Sequence, residues 1–153
     1  MEAQKAIVCV DDEAIILMAM KAELARQFRG RFRVESALDA RKALELIERL
    51  FSEGFSVAMV LTDWLMPGIK GDELVLLVKQ DHPEVRCVLV SGQADAKAIA
   101  EARLESSLDA YIEKPWGVDR LLKVVKSCLD SPAAEEPPPG PEGGPPPAPR
   151  GQA

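Results

Sequence analysis

Apolar positions along this chain follow two alternating rhythms. Ala6–Val10 (AIVCV), Val57–Leu61 (VAMVL) and Cys87–Val90 (CVLV) are unbroken apolar runs rich in valine. Short continuous runs of this kind predict strands covered on both faces, as in a parallel sheet. Arg31–Glu35 (RFRVE) instead alternates polar with apolar, which predicts an edge strand with one wet side, and Ala110–Ile112 is a short fifth candidate. Between the runs the spacing turns helical. Leu17, Met20, Leu24 and Phe28 line one face, as do Ala40, Ala43, Leu44, Ile47 and Leu50, then Leu74, Leu77 and Val78, and finally Leu121, Leu122, Val125 and Leu129. Residues 94–108 predict a weaker helix, rich in alanine with little bulk to bury. Strand and helix alternate five times, which predicts an α/β fold: a doubly wound five-stranded parallel sheet, (βα)5, with helices on both faces.

The alternation stops at Ser131. The 23 residues from there on hold nine of the twelve prolines and four of the ten glycines, a composition that cannot bury a core. Residues 1–130 therefore read as one domain, and 131–153 as a disordered Pro/Gly-rich tail of polyproline II character. The PxxP spacings Pro138–Pro141 and Pro146–Pro149 arise from composition in so proline-dense a tract.

Composition narrows the class further. A chain of 153 residues, 47% hydrophobic and 29% charged, matches one soluble globular domain. No apolar run approaches the roughly 20 residues that span a bilayer, and Met1–Ala6 lacks the basic start of a signal peptide, so a cytoplasmic location without membrane insertion is expected. The net charge of −6 argues against direct nucleic-acid binding, which demands clustered Lys and Arg. Cys9, Cys87 and Cys128 are odd in number and none lies in a CxxC pair, so they read as buried small hydrophobes rather than as a disulfide or zinc framework. His82 stands alone in a turn-like stretch and reads as a surface residue.

In an open parallel sheet ligands bind beyond the carboxyl ends of the strands. The residues that follow the apolar runs are Asp11-Asp12-Glu13, Thr62-Asp63, Ser91-Gly92 and Glu113-Lys114-Pro115. Carboxylates from two strand ends, a hydroxyl and an ammonium are thereby directed toward one crevice. No glycine follows the first strand, so a phosphate-cradling nucleotide loop is disfavoured there. Crowded carboxylates repel one another unless a cation neutralises them, and a hard divalent ion such as Mg²⁺ suits a few carboxylate oxygens, a carbonyl and water. An Asp beside such an ion can accept a phosphoryl group, with a Lys and a hydroxyl to grip the transferred oxygens.

These motifs resemble the receiver domain of two-component response regulators: Val10-Asp11-Asp12-Glu13, Leu61-Thr62-Asp63-Trp64-Leu65-Met66-Pro67-Gly68 with Gly71 closing the loop, Ser91-Gly92, and Tyr111 three before Lys114-Pro115-Trp116. The resemblance covers residues 5–130. It implies a flavodoxin-like sheet of order 2-1-3-4-5, with Asp63 as phosphoacceptor and Mg²⁺ held by Asp11, Asp12, Asp63 and the main-chain carbonyl of Leu65. It also implies that Lys114 pairs with the phosphoryl group, that the Lys114–Pro115 peptide is cis, and that Ser91 and Tyr111 form a switch pair. The sequence departs from the family pattern at Gly92, where alanine is commoner, and at Leu65, which puts an apolar side chain beside the site.

The expected function is that of a phosphoacceptor signalling domain. Its phosphodonor would be a histidine kinase or a histidine phosphotransfer protein, and its output would run through contacts with an unidentified downstream protein, made by the face of the weak helix, the fifth strand and the last helix. An Mg²⁺-dependent phosphohydrolase of the haloacid-dehalogenase type is the rival reading; that family needs a second Asp two residues after the nucleophile, where this chain has Leu65. A receiver cut from a longer protein, with an effector domain beyond the Pro-rich segment, also stays open.

Overall fold

The computed structural model describes residues 4–92 and 108–130. Within them the chain runs β1 (Gln4–Val10), α1 (Ala14–Gln27), β2 (Arg33–Ala37), α2 (Ala40–Ser52), β3 (Phe55–Asp63), α3 (Gly71–Asp81), β4 (Arg86–Gly92), β5 (Ala110–Lys114) and α4 (Val118–Asp130). All neighbouring strands are parallel, in the order β2-β1-β3-β4-β5, which is the flavodoxin-like arrangement. The weak helix expected over 94–108 falls almost wholly outside the described residues, and the expected tail, 131–153, lies outside them entirely. Among the described residues, no helix is long and apolar enough to cross a membrane.

Strand β1, flanked by β2 and β3, shows why continuous apolar runs mean a parallel sheet here. Ala6, Val8 and Val10 pack under α2 and α3, while Ile7 and Cys9 pack on the opposite face with Leu17, Met20 and Leu24 of α1 and Leu121 and Val125 of α4. Successive side chains alternate faces, and both faces are covered. Cys9, Cys87 and Cys128 are buried, as their apolar neighbourhoods predicted.

One irregularity sets the phase of the site. The pairing of β1 with β3 steps from Ala6–Val57 to Ile7–Met59, so that one extra residue of β3 is accommodated. Val57 faces the α2/α3 side while Met59 and Leu61 face the α1/α4 side. In a strand without the extra residue these three would share a face, and Asp63 would point the other way.

Some boundaries differ from the sequence pattern. β2 begins at Arg33 rather than Arg31, because the backbone N–H groups of Arg31 and Phe32 are taken by the Phe28 carbonyl in the turn that ends α1, and the Phe32 ring packs edge-on against Phe28. Leu46 is buried on α2 whereas Leu44 is only half-buried, and Val75 and Cys128 take the core positions expected of Leu77 and Leu129. Each helix buries a stripe wider than one row of the periodic pattern, and which flank faces the sheet depends on how the helix is rotated. His82 is also less exposed than its context suggested: its ring stacks on Phe51 at 4.2 Å and its Nε2 lies 2.9 Å from Glu48.

At the amino-terminal edge of the sheet Asp109 ties β4, β5 and α3 together. Its carboxylate accepts from the Cys87 N–H at 2.8 Å, from Lys79 Nζ at 3.0 Å and from Arg86 Nη1 at 3.2 Å, and its own N–H donates to the Cys87 carbonyl. Removing this carboxylate takes an ion-pair partner from two partly buried cations, Lys79 and Arg86, and an acceptor from the Cys87 N–H. Asp109→Ala is expected to lower the unfolding free energy by about 2–3 kcal/mol in urea titrations; a loss within about 0.5 kcal/mol, as for an ordinary surface change, would contradict this role.

Candidate functional site

The register of the sheet explains how separated residues converge. Val10 pairs with Thr62, Asp63 with Val90, and Gly92 with Lys114. Asp11, Asp63, Ser91 and Lys114 therefore lie along one edge, each at or just beyond the carboxyl end of its strand. Asp11 is 0% exposed, Asp63 6% and Ser91 1%, whereas Asp12 lies at the surface. Carboxylate oxygens of Asp11, Asp12 and Asp63 all fall within 4.8 Å of one another. The Lys114 ammonium lies 3.2 Å from Asp11 Oδ2 and 3.2 Å from Asp63 Oδ1.

Asp11 has two tasks. Its Oδ2 meets Lys114 while Oδ1 accepts the Glu13 N–H at 2.8 Å, which shapes the entry to α1, a helix whose N-cap residue Glu13 makes no side-chain cap. Helix entry and site formation are thus both served by one buried carboxylate.

The electrostatics follow from burial and crowding. Burial pushes the Asp63 carboxyl above the usual carboxylate range, the Asp11 charge pushes it further, and Lys114 and the Trp64 N–H offset part of that. Burial pulls the Lys114 ammonium down, but Asp11 and Asp63 together outweigh it and the net shift is upward. A single ammonium is thereby held charged between two carboxylates.

Around this cluster the backbone is tightly constrained. Thr62 Oγ1 donates to the Asp63 carbonyl at 3.0 Å, the Trp64 N–H donates to the Val90 carbonyl at 3.1 Å, and the Gly71 N–H closes the loop onto the Trp64 carbonyl at 2.9 Å. A Cβ at Gly71 would sit 2.1 Å from the Asp63 carbonyl oxygen, so no larger residue fits without moving the end of β3. Gly68 turns the same loop at φ 80°. The Lys114–Pro115 peptide is cis.

Of the residues singled out from sequence, the structure gathers Asp11, Asp12, Asp63 and Lys114 into one cluster. Ser91 is at its margin, with a buried Oγ that has no hydrogen-bond partner among the described residues. The half-buried Tyr111 directs its hydroxyl to the Gly92 carbonyl at 3.5 Å rather than to the cluster. Leu65 lies on the loop after β3 and is 53% exposed. Sequence reasoning named no role for the Thr62 hydroxyl, and its only signal was adjacency to Asp63.

Strand order and the place of the cluster define a flavodoxin-like α/β domain with an acidic site at the carboxyl edge of its sheet. Comparison with known proteins makes this specific. The response regulator receiver domain family matches residues 7–126. The hydrogenase transcriptional regulatory protein HoxA of Cupriavidus necator is 32% identical over 130 residues, which are 85% of this chain and 25% of that protein. The response regulator protein PilR of Pseudomonas aeruginosa is 30% identical over 140 residues, 90% of this chain and 29% of that protein. Among solved structures, the receiver domain of NtrX from Brucella abortus superposes with a TM-score of 0.72 at 27% identity, covering 82% of this chain and 99% of that one. A CheY-like receiver domain protein from Methanospirillum hungatei gives 0.69 at 31% identity, covering 84% of this chain and 95% of that one. The chain belongs to the receiver domain family of two-component response regulators, and it spans about a quarter of the length of HoxA and PilR.

The raised Asp63 carboxyl has a consequence for stability. The folded state binds that proton more tightly than the unfolded state, so between the ordinary carboxylate value and the raised one stability falls as pH rises. In chelated, metal-free buffer, Asp63→Asn should therefore match wild type below pH ~3.8 and melt at a higher temperature above it, with the gap widening until the raised value is passed. A gap that is absent or reversed at neutral pH would contradict the electrostatic description.

Proposed function

We propose that Asp63 is the phosphoacceptor of this receiver, with a phosphohistidine of a histidine kinase or a histidine phosphotransfer protein as the donor. In the transfer an Asp63 carboxylate oxygen forms a bond to phosphorus as the phosphorus–nitrogen bond of the donor breaks, and the released imidazole keeps the electron pair and takes up a proton. The observation that carries the reading is the Lys114 ammonium 3.2 Å from both Asp63 and Asp11: a cation already seated beside the acceptor can follow the incoming charge. The buried Ser91 hydroxyl, unpartnered among the described residues, supports the same reading, since it offers a donor to a phosphoryl oxygen.

Asp11, Asp12 and Asp63 fit Mg²⁺: hard oxygen donors, with Asp12 exposed and so able to keep part of the ion's water shell; the main-chain carbonyl of Leu65 would be a further ligand. Bound there, the ion would offset the carboxylate repulsion and the charge on the transferring group's oxygens. Ser91 and Tyr111 serve as the switch pair: phosphorylation adds roughly −1.5 to −2 charge units, the Ser91 hydroxyl turns to it, and the space behind admits the Tyr111 ring. The altered surface then changes preference for a downstream protein. HoxA and PilR are several times longer than this chain, which supports reading it also as the receiver module of a longer regulator. The phosphohydrolase alternative finds no support: the exposed Leu65 cannot act as the second acid–base carboxylate that chemistry requires.

Incubated with acetyl phosphate, the wild-type chain should gain the mass of one phosphoryl group in the presence of Mg²⁺ and none in chelator. Asp63→Asn should gain none in either. Intact-protein mass spectrometry decides this, and a mass gain that persists in Asp63→Asn would move the acceptor elsewhere.

A further inference from the structure

The pole opposite the acidic site carries a second constellation that receiver chemistry does not use. There the amino-terminal ends of β1, β2 and β3 and the turn after α1 frame an open cleft of about 560 Å³, lined by Lys5, Gly30, Arg31, Phe32, Arg33 and Phe55. The Arg31 guanidinium lies over the rings of Phe28 and Phe32, at 5.5 and 5.9 Å from their centroids, and that of Arg33 lies 5.2 Å over Phe55. A guanidinium resting on a ring keeps its N–H edges free and pre-set for carboxylates. Arg33 already uses part of its edge on Glu35. Compensation of the α1 carboxyl terminus accounts for Arg31 at most, since Lys5 and Arg33 belong to strands. Three cations gathered on a chain of net charge −6 also do not follow from composition.

One stretch of this chain has the complementary chemistry. Residues 131–153 carry Glu135, Glu136 and Glu142 around Pro137-Pro138-Pro139-Gly140-Pro141. We propose that this acidic proline-rich segment docks in the cleft of its own chain, with its glutamates on Lys5, Arg31 and Arg33 and its proline rings against Phe32 and Phe55. The chain emerges at the right pole: Cys128, near the end of α4, places its Sγ 3.8 Å from the carbonyl of Asp109, just before β5 begins. From β5 to β1 is three strand spacings, about 14 Å, and the six residues from Asp130 to Glu136 reach about 19 Å in polyproline II form. Proline restricts a chain before it binds, so a proline-dense sequence would lose little further entropy on docking, and tethering would keep its local concentration high.

The test uses the full chain, ¹⁵N-labelled, with a nitroxide on Gly143→Cys. The three native thiols are buried, and burial raises all of them, Cys9 and Cys87 to about 12, which directs the label to the introduced cysteine. Amides of Lys5, Gly30–Arg33 and Phe55 should lose most of their intensity relative to the reduced nitroxide. The loss should weaken in molar salt, where the screening length falls to about 3 Å, and in Lys5→Glu/Arg31→Glu, in each case to the level that tethering alone gives. Adding Glu135→Lys, Glu136→Lys and Glu142→Lys to that variant should restore the loss, and the remaining amides in each spectrum report that the domain is folded. Cleft amides affected no more than those of the acidic edge, or affected equally after charge reversal, would overturn the proposal. Equal attenuation between separately labelled chains in a mixed sample would assign the contact to a second copy and overturn docking within one chain.

Discussion

Two buried carboxylates, Asp11 and Asp63, share one ammonium, and the carboxyl edge of the sheet is arranged around that shortage of positive charge. Lys114 stands 3.2 Å from each, close enough to keep both sites hydrogen-bonded but insufficient to neutralise three acidic side chains whose oxygens converge within 4.8 Å. Burial raises the Asp63 carboxyl, and the neighbouring Asp11 charge adds to the rise beyond what Lys114 offsets. Under the proposed function a divalent cation would relieve the shortage, and a phosphoryl group would then bring in new charge to be met by the same lysine and by the Ser91 hydroxyl. Charge imbalance at rest is what makes the domain responsive.

Holding like charges together requires a stiff scaffold. β1 and β3, which end at the two buried carboxylates, are covered on both faces, and Ala6–Val10 are all fully buried. The extra residue in β3 turns Asp63 to the correct face, and the close approach of Gly71 to the Asp63 carbonyl locks the loop that follows. At the opposite pole Asp109 fastens β5 to β4. In the proposed switch, displacement at the acidic edge would fall to the side chains there, Ser91, Tyr111 and Lys114, rather than to the sheet.

Much of this was readable before any coordinates. Unbroken apolar runs mark strands buried on both faces, and each charged or hydroxyl residue of the site directly follows such a run, so the cluster could be assembled from position alone. The illegible features all depend on partners distant in sequence or on exact backbone phase. Asp109 meets Lys79 and Arg86 across separations of 30 and 23 residues, and His82 meets Glu48 across 34. No local pattern announces such pairs. The start of β2 was misplaced because alternation in Arg31–Glu35 looks the same whether its first residues belong to a turn or to a strand, and the choice was made by the Phe28 carbonyl. The β3 irregularity left no mark, since Val57–Leu61 is apolar in every phase.

If Lys114 is the resident cation that a divalent ion must join, then its charge opposes metal binding even as it prepares the site for phosphoryl transfer. The direct measurement is the Mg²⁺ dissociation constant of wild type and Lys114→Met, read from the fluorescence of Trp64, next to Asp63, in a Trp116→Phe background. The account predicts tighter Mg²⁺ binding in Lys114→Met, because the carboxylates lose their internal partner and the ion loses a repelling neighbour. Unchanged or weaker binding in that variant would contradict it.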